Sequence, residues 1–406
     1  MSSLVTSLDI GSSQIKCIVA APKKDGTLAV VTAFKRPSAG FKRGVLSDID
    51  DATNTLREVA IDLQRISKRA TENVVANLNS EHVWSRSSKG MAAVGRADLE
   101  IQQDDIDRAK QAAIAGKVLQ NRMLLHNISR EFLVDGVGDI ADPLGMSGNR
   151  LEVSTFIVEA FTPHYAILTK TLERVGLSMN GIVFNPLASQ KSVLSKHRKE
   201  LGALVIDFGF GTTSFAAYED GRPIHAKSIP IGTSHITSDI VAGFTIPFEV
   251  AEKLKVSYGY AISKDIARKD LIRLSEVDPQ NNTEVSKKVL SEIIEARLEE
   301  ILELVNNEIK GLGRNIQFPG GVVITGGGVK MPGMTEFVKQ EMKFPTQVGF
   351  PDLKNFEITN PAHAELLDDP EFAVAVGLFG NMEESRRADG GGMFEKFKHI
   401  LRNLTP

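Results

Sequence analysis

At 406 residues, 42% hydrophobic and 24% charged, the chain has the composition of a soluble globular protein, long enough for about two to four compact units. A formal net charge of -3 gives no global reason to expect nucleic-acid binding, and the single cysteine, Cys17, excludes a disulfide framework. No apolar stretch is long enough to span a bilayer, and residues 1–6 carry neither a basic n-region nor a long apolar h-region. The expected location is therefore the cytoplasm, with any membrane contact peripheral.

Apolar runs at 4–9, 14–21 and 28–36 predict three strands, followed by a helix start at Ser47-Asp48-Ile49-Asp50 and an amphipathic stretch to about Arg69. Asn73 to Leu78 predicts a further strand. Residues 81 to about 162 fit neither flank, with strand patterns at Arg122 to Val134 and Leu151 to Phe161 and one helix near Asp104 to Ala115. They read as an inserted small domain. Helical pattern resumes from Pro163 to Val175, and Ala203 to Asp207, Thr213 to Tyr218 and Pro223 to Ile229 predict a second meander, with helical pattern from about Gly232. Residues 284 to 310 predict the longest helix, with Val285, Val289, Ile293, Leu298, Ile301, Val305 and Ile309 on a buried stripe and Glu292, Glu295, Glu299 and Glu303 in solvent.

The two meanders open on the same phrase. Leu8-Asp9-Ile10-Gly11-Ser12-Ser13 and Ile206-Asp207-Phe208-Gly209-Phe210-Gly211-Thr212-Thr213 each run from apolar residues through Asp into a tight Gly/Ser/Thr turn. Two such hairpin tips facing each other would grip a polyphosphate: glycine admits close backbone approach, and the N–H groups carry fixed partial positive charge. The carboxylates of Asp9 and Asp207 would hold a divalent metal such as Mg²⁺, through water. Matching halves imply a duplication with a ligand cleft between two related domains. A third element, Val322-Val323-Ile324-Thr325-Gly326-Gly327-Gly328-Val329, is a buried strand entering a glycine turn flat enough for a purine and its ribose. Glu252 and Lys255, three apart on a predicted helix, share a face and could hydrogen-bond ribose and base, or form an ordinary surface ion pair.

LDIGSSQIK (8 to 16), VIDFGFGTTSFAAY (205 to 218) and VVITGGGVKMPGM (322 to 334) resemble, in order and spacing, the phosphate-1, phosphate-2 and adenosine motifs of the actin, Hsp70 and sugar-kinase superfamily. IVFNPLASQKSVL (182 to 194) and PEFAVAVGLFG (370 to 380) resemble its connecting elements. The insert and AEKLKVSYG (251 to 259) resemble the bacterial cell-division protein family FtsA. The resemblance implies an α/β, actin-like (ribonuclease H-like) duplicated two-domain fold with a nucleotide cleft. It divides the chain into subdomain 1A (1–80 and 163–195), inserted subdomain 1C (81–162), subdomain 2A (196–230 and 306–380), subdomain 2B (231–305), a flexible linker (381–392) and a C-terminal amphipathic helix (393–406). ATP would lie between the halves, with Asp9 and Asp207 orienting the metal. Gly11, Ser12, Ser13, Gln14 and Lys16 would meet the phosphates, and Gly209, Phe210, Gly211, Thr212 and Thr213 their opposite face. Glu252, Lys255, Gly326, Gly327, Gly328 and Met331 would surround adenosine. Phe210 and Ser214 depart from the usual Gly or Asp and Asp of relatives, and Asn185 stands where active ATPases of the superfamily tend to carry Gln or Glu. An amide can orient the attacking water but cannot take its proton, so weak or no hydrolysis is expected.

After Gly380 the sequence turns charged and ends in Gly390 to Gly392, then Met393, Phe394, Phe397, Ile400, Leu401 and Leu404 fall on one helical stripe with Lys396, Lys398 and Arg402 opposite. This reads as a basic amphipathic helix for an anionic membrane surface, each cation contributing on the order of 1 kcal/mol there. A single short tail would bind at about 10 to 100 μM, so avidity of roughly 10² or more from self-assembly would make attachment switchable. The resemblance implies a filament that anchors the tubulin-like division protein FtsZ, through its C-terminal peptide, to the inner face of the membrane, and recruits later division proteins. A soluble small-molecule kinase or a pilus-assembly ATP-binding protein of the same superfamily are the alternatives.

Overall fold

The first lobe is built on an antiparallel meander of β1 (Val5–Ile10), β2 (Gln14–Pro22) and β3 (Leu28–Pro37). The computed structural model describes residues 4–116, 118–313 and 316–388. A small hairpin, β4 (Phe41–Lys42) with β5 (Val45–Leu46), leads into α1 (Ile49–Ile66), whose N-cap Asp48 accepts from the backbone N–H groups of Asp50 and Asp51. β6 (Val74–Leu78) returns parallel to β1.

The insert follows: β7 (Val83–Ala93), α2 (Gln103–Ile114), β8 (Arg122–Val134), β9 (Val137–Ile140) and β10 (Arg150–Phe161), in sheet order β7-β10-β8-β9. Ile101, Ile106, Ala109, Leu151 and Val153 form its own small core. Strand β7 had no clear sequence signal, because VWSRSSKGMAA alternates small and polar residues.

The first lobe is completed by α3 (Thr162–Arg174), β11 (Met179–Phe184) and α4 (Asn185–Val193), giving a sheet of order β11-β6-β1-β2-β3. After α5 (Lys196–Leu201), the second lobe repeats the plan with β12 (Ala203–Phe208), β13 (Thr213–Glu219) and β14 (Arg222–Ile229). Next come α6 (Thr233–Phe244), α7 (Phe248–Tyr258), β15 (Leu271–Arg273), β16 (Glu284–Ser286) and α8 (Lys287–Lys310). The long helix therefore starts later than its periodicity indicated, because Glu284–Ser286 pairs with Leu271–Arg273 as a two-stranded sheet. Its buried row is also one residue out of the expected phase at the start: Leu290, Ile294, Leu298, Ile301, Val305 and Ile309 are buried, whereas Val289 is 41% exposed.

β17 (Val322–Thr325) lies parallel to β12, and α9 (Met334–Met342) and β18 (Thr346–Val348) complete a sheet of order β14-β13-β12-β17-β18. β19 (Phe356–Glu357) crosses back to the edge of the first sheet beside β3. α10 (Pro361–Leu367) then leads to α11 (Ala373–Ala388). α4 and α11 cross between the sheets at a glycine: a Cβ on Gly377 would sit 1.9 Å from the Ala188 carbonyl oxygen. The backbone stays helical to Ala388, within the stretch read as a linker, in keeping with the helix-forming Met382, Glu383, Glu384, Arg386, Arg387 and Ala388. The residues read as membrane-directed, Met393, Phe394, Lys396, Phe397, Lys398, Ile400, Leu401, Arg402 and Leu404, lie outside the described residues. Among the described residues no helix is long and apolar enough to cross a membrane.

Candidate functional site

The duplicated phrase forms duplicated hairpins. In the first, Gly11 N–H donates to Gln14 O at 3.0 Å, and in the second, Gly209 N–H donates to Thr212 O at 2.9 Å. Register places Asp9 opposite Lys16, but Asp207 opposite Ser214. The same turn thus carries a carboxylate with a cation beside it in one lobe and without one in the other. The turn after β17 completes a cleft of about 410 Å³, within the usual range of small-molecule sites.

The structure brings nearly all of the expected residues to that cleft. Asp9, Gly11, Ser12, Ser13, Gln14 and Lys16 line one wall, Asp207, Gly209, Phe210, Gly211 and Thr212 the facing one, and Asn185 lies on its border. Glu252, Lys255, Gly326, Gly327, Gly328 and Met331 line the remainder. Thr213 is the exception: it is fully buried in β13, behind the turn.

Charge decides what the cleft can take. Lys16 Nζ donates to Asp9 Oδ2 at 3.2 Å, yet burial holds the Asp9 carboxyl above its ordinary range, with Lys16 opposing. Burial alone would lower Lys16; Asp9 and Glu371 outweigh it and hold the ammonium above its usual value. Asp207, 7% exposed, is pushed up to about 7 by burial and then by the Asp9 charge. Two carboxylates that repel across a desolvated gap favour a divalent cation. Among the described residues no group of three or more His, Cys, Asp or Glu could hold a metal ion. An ion at Asp9 and Asp207 would therefore complete its shell with water and with oxygens of a bound anion, as Mg²⁺ prefers.

Side-chain amides hold the hairpins in place. Asn77 Oδ1 accepts the Ile10 N–H at 2.6 Å, while its Nδ2 donates to Asp9 Oδ1 at 2.8 Å and Asn185 Oδ1 at 2.9 Å. Asn79 Nδ2 donates across the cleft to Thr212 Oγ1 at 2.8 Å. These asparagines were not picked out by motif. The available signal was an Asn inside the apolar run Val74–Leu78, since an unpartnered amide in a buried strand is costly.

In the Glu252–Lys255 pair the lysine is buried and the glutamate half-buried. Lys255 is 6% exposed and donates to Glu252 Oε2 at 2.7 Å, Thr237 Oγ1 at 2.9 Å and Thr233 O at 3.1 Å. Burial lowers its ammonium, with Glu252 opposing. The Phe210 ring lies 5.5 Å from Lys255 Nζ, a cation–π contact that joins the second hairpin to α7. Gly326 has φ +89°, and a Cβ there would lie 2.2 Å from Asp207 Oδ1, so both backbone and packing require glycine. Also unanticipated were Lys330 and Glu371 on the rim, 3.5 Å apart, with Asp369 paired to Lys330 and Lys35 paired to Glu371.

Two α/β lobes, each opening on an Asp-turn hairpin and closed by paired crossing helices, define an actin-like fold. Solved structures agree in fold: the PilM–PilN type IV pilus biogenesis complex covers 92% of this chain at TM-score 0.65 and 17% identity. MreB 5 of Spiroplasma citri bound to AMPPNP covers 96% at TM-score 0.55 and 13% identity. Family models are more specific. Residues 204–377 match that of cell division protein FtsA, and residues 80–159 match the SHS2 domain inserted in FTSA. Cell division protein FtsA of Borreliella burgdorferi is 31% identical over 398 residues, covering 98% of this chain and 94% of that protein. The Pseudomonas aeruginosa protein is 30% identical, covering 92% and 88%, and that of Bacillus subtilis 30%, covering 92% and 82%. The chain belongs to the FtsA family of cell division proteins. The likeness to PilM–PilN is one of fold and does not carry the pilus-assembly alternative.

Proposed function

We propose that this protein binds ATP with Mg²⁺ between its lobes, self-assembles, and tethers FtsZ to the inner face of the cytoplasmic membrane at the division site. The observation that carries the nucleotide reading is the convergence of both Asp-turn hairpins and the Gly326 turn on one cleft. The bound AMPPNP of the MreB 5 relative supports the choice of nucleotide. Backbone N–H groups of the turns at Gly11–Gln14 and Gly209–Thr212, with Lys16, would take the phosphate oxygens. A bound Mg²⁺ would neutralise charge on those oxygens, held through water by Asp9 and Asp207. Glu252 and Lys255 would hydrogen-bond the nucleoside, and Gly326 to Gly328 would lie flat beneath it.

Weak turnover follows from Asn185. Its Oδ1 already accepts from Asn77 Nδ2, and an amide in that position cannot take a proton from water. The nucleotide then acts mainly as a clamp between lobes. The subdomain division 1A, 1C, 2A and 2B is part of this reading, with 1C contacting a neighbouring subunit and 2B (231–305) taking the FtsZ C-terminal peptide. Residues 393–406 would supply the lipid contact, and later division proteins would join the assembly. Electron microscopy on lipid monolayers with Mg-ATP, for the chain with and without residues 393–406, tests the reading. Filaments on the monolayer that vanish with the truncation are expected; lipid binding indifferent to the truncation refutes the tether.

A further inference from the structure

The segment that leads from the first lobe into the insert touches the second lobe at two points. At its start Asn79, 8% exposed, reaches from the end of β6 to the hydroxyl of Thr212 in the second hairpin. The next residues form a tight turn: Val83 N–H donates to Ser80 O at 3.2 Å and His82 N–H to Ser80 Oγ at 3.0 Å. His82 O then takes the Phe161 N–H at 3.0 Å, locking the turn to the end of β10. Just beyond it, Ser85 Oγ accepts the Ala226 N–H at 3.0 Å and lies 3.3 Å from His225 Nδ1. β7 and β14 are edge strands of their sheets, so this hydroxyl joins the two sheets edge to edge. The ring closes through the second meander, where Ala226 pairs with Ala216 in β13, whose first residue follows Thr212.

We propose that residues 79–85 transmit occupancy of the cleft to the inserted sheet, with Asn79 and Ser85 as its two grips. The inference rests on the nucleotide reading. Thr212 Oγ1 accepts from Asn79 Nδ2 and keeps its own proton for a phosphate oxygen, so a phosphate that draws on the Thr212 turn pulls Asn79 with it, and the hydrogen-bonded turn passes the displacement to β7. A continuous run of hydrogen bonds from the Thr212 turn through Asn79, Ser80 and His82 to β7 is the physical connection that such coupling needs. Reciprocity requires that loosening the Ser85 grip also alter nucleotide affinity.

Hydrogen exchange on the full chain, with and without saturating Mg-ATP, provides the test, alongside calorimetry with Mg-ATP. In the unaltered protein and in Ser85→Thr, which keeps the hydroxyl, nucleotide changes exchange in β7 and α2 by about threefold or more, with a similar change in affinity for Ser85→Ala. In Ser85→Ala and Asn79→Ala the insert no longer responds while the segment around Gly209–Thr212 still does. An insert that responds equally in Ser85→Ala, or that never responds while the cleft does, overturns the inference. If calorimetry gives no heat and the cleft is silent, the nucleotide reading itself falls and takes the inference with it.

Discussion

Asn77→Leu removes one amide that serves three partners. The Ile10 N–H is buried and loses its acceptor outright, at about 2 kcal/mol for an unsatisfied donor. Asp9 and Asn185 border the cleft, where water can replace much of the lost contact, so each adds about 0.5 kcal/mol. The sum, about 3 kcal/mol, is a large part of a typical domain stability of roughly 5–15 kcal/mol. For a lobe of about 150–250 residues it corresponds to a Tm lowered by about 6–12 °C. Thermal unfolding followed by circular dichroism, without nucleotide, measures it. Asn180→Leu, at an exposed asparagine bonded to Asn73, serves as control and shifts Tm little. A Tm loss below about 2 °C for Asn77→Leu would show that the amide does not organise the first hairpin.

Gly326→Ala forces φ +89° on a residue with a Cβ and drives that carbon onto Asp207 Oδ1; calorimetry should show Mg-ATP affinity lost, and unfolding a destabilisation of several kcal/mol. Asp207 is protonated in the fold up to about pH 7 but ionised in the unfolded chain above about pH 3.8, so the free protein loses stability as pH rises across that window. In Asp207→Asn the decline attributable to this group disappears and Tm at pH 8 rises, while Mg-ATP binding weakens; an unchanged pH profile of Tm would contradict the assignment. Lys255→Met leaves Glu252 and Thr237 without their shared donor, and nucleotide affinity should fall about tenfold or more, read by calorimetry. Phosphate release by the unaltered protein should stay far below an ordinary ATPase, because Asn185 cannot accept a proton.

The repeated Asp-turn phrase was legible because backbone geometry demands it: glycine and small hydroxyl residues sit wherever a hairpin tip must approach a ligand, and those residues line the cleft. What escaped the sequence were contacts between distant segments. Asn77 and Asn79 look alike in VVANLN, yet one holds its own hairpin and the other reaches the opposite lobe, which only the crossing of the two sheets decides. Thr213 matches its motif but turns inward, since strand alternation after the turn places it behind Thr212. The onset of α8 was misplaced because Val285 suits a helix stripe and a strand equally, and pairing with Ile272 chose the strand.

The claim on which the rest stands is that Asp9 and Asp207 face each other across a site for a triphosphate and its metal. Isothermal titration of the folded chain with ATP, in the presence and absence of Mg²⁺, measures it most directly. Binding that requires Mg²⁺ and is lost in both Asp9→Asn and Asp207→Asn is the predicted result. Equal binding with and without the metal, or affinity untouched by either substitution, would contradict it.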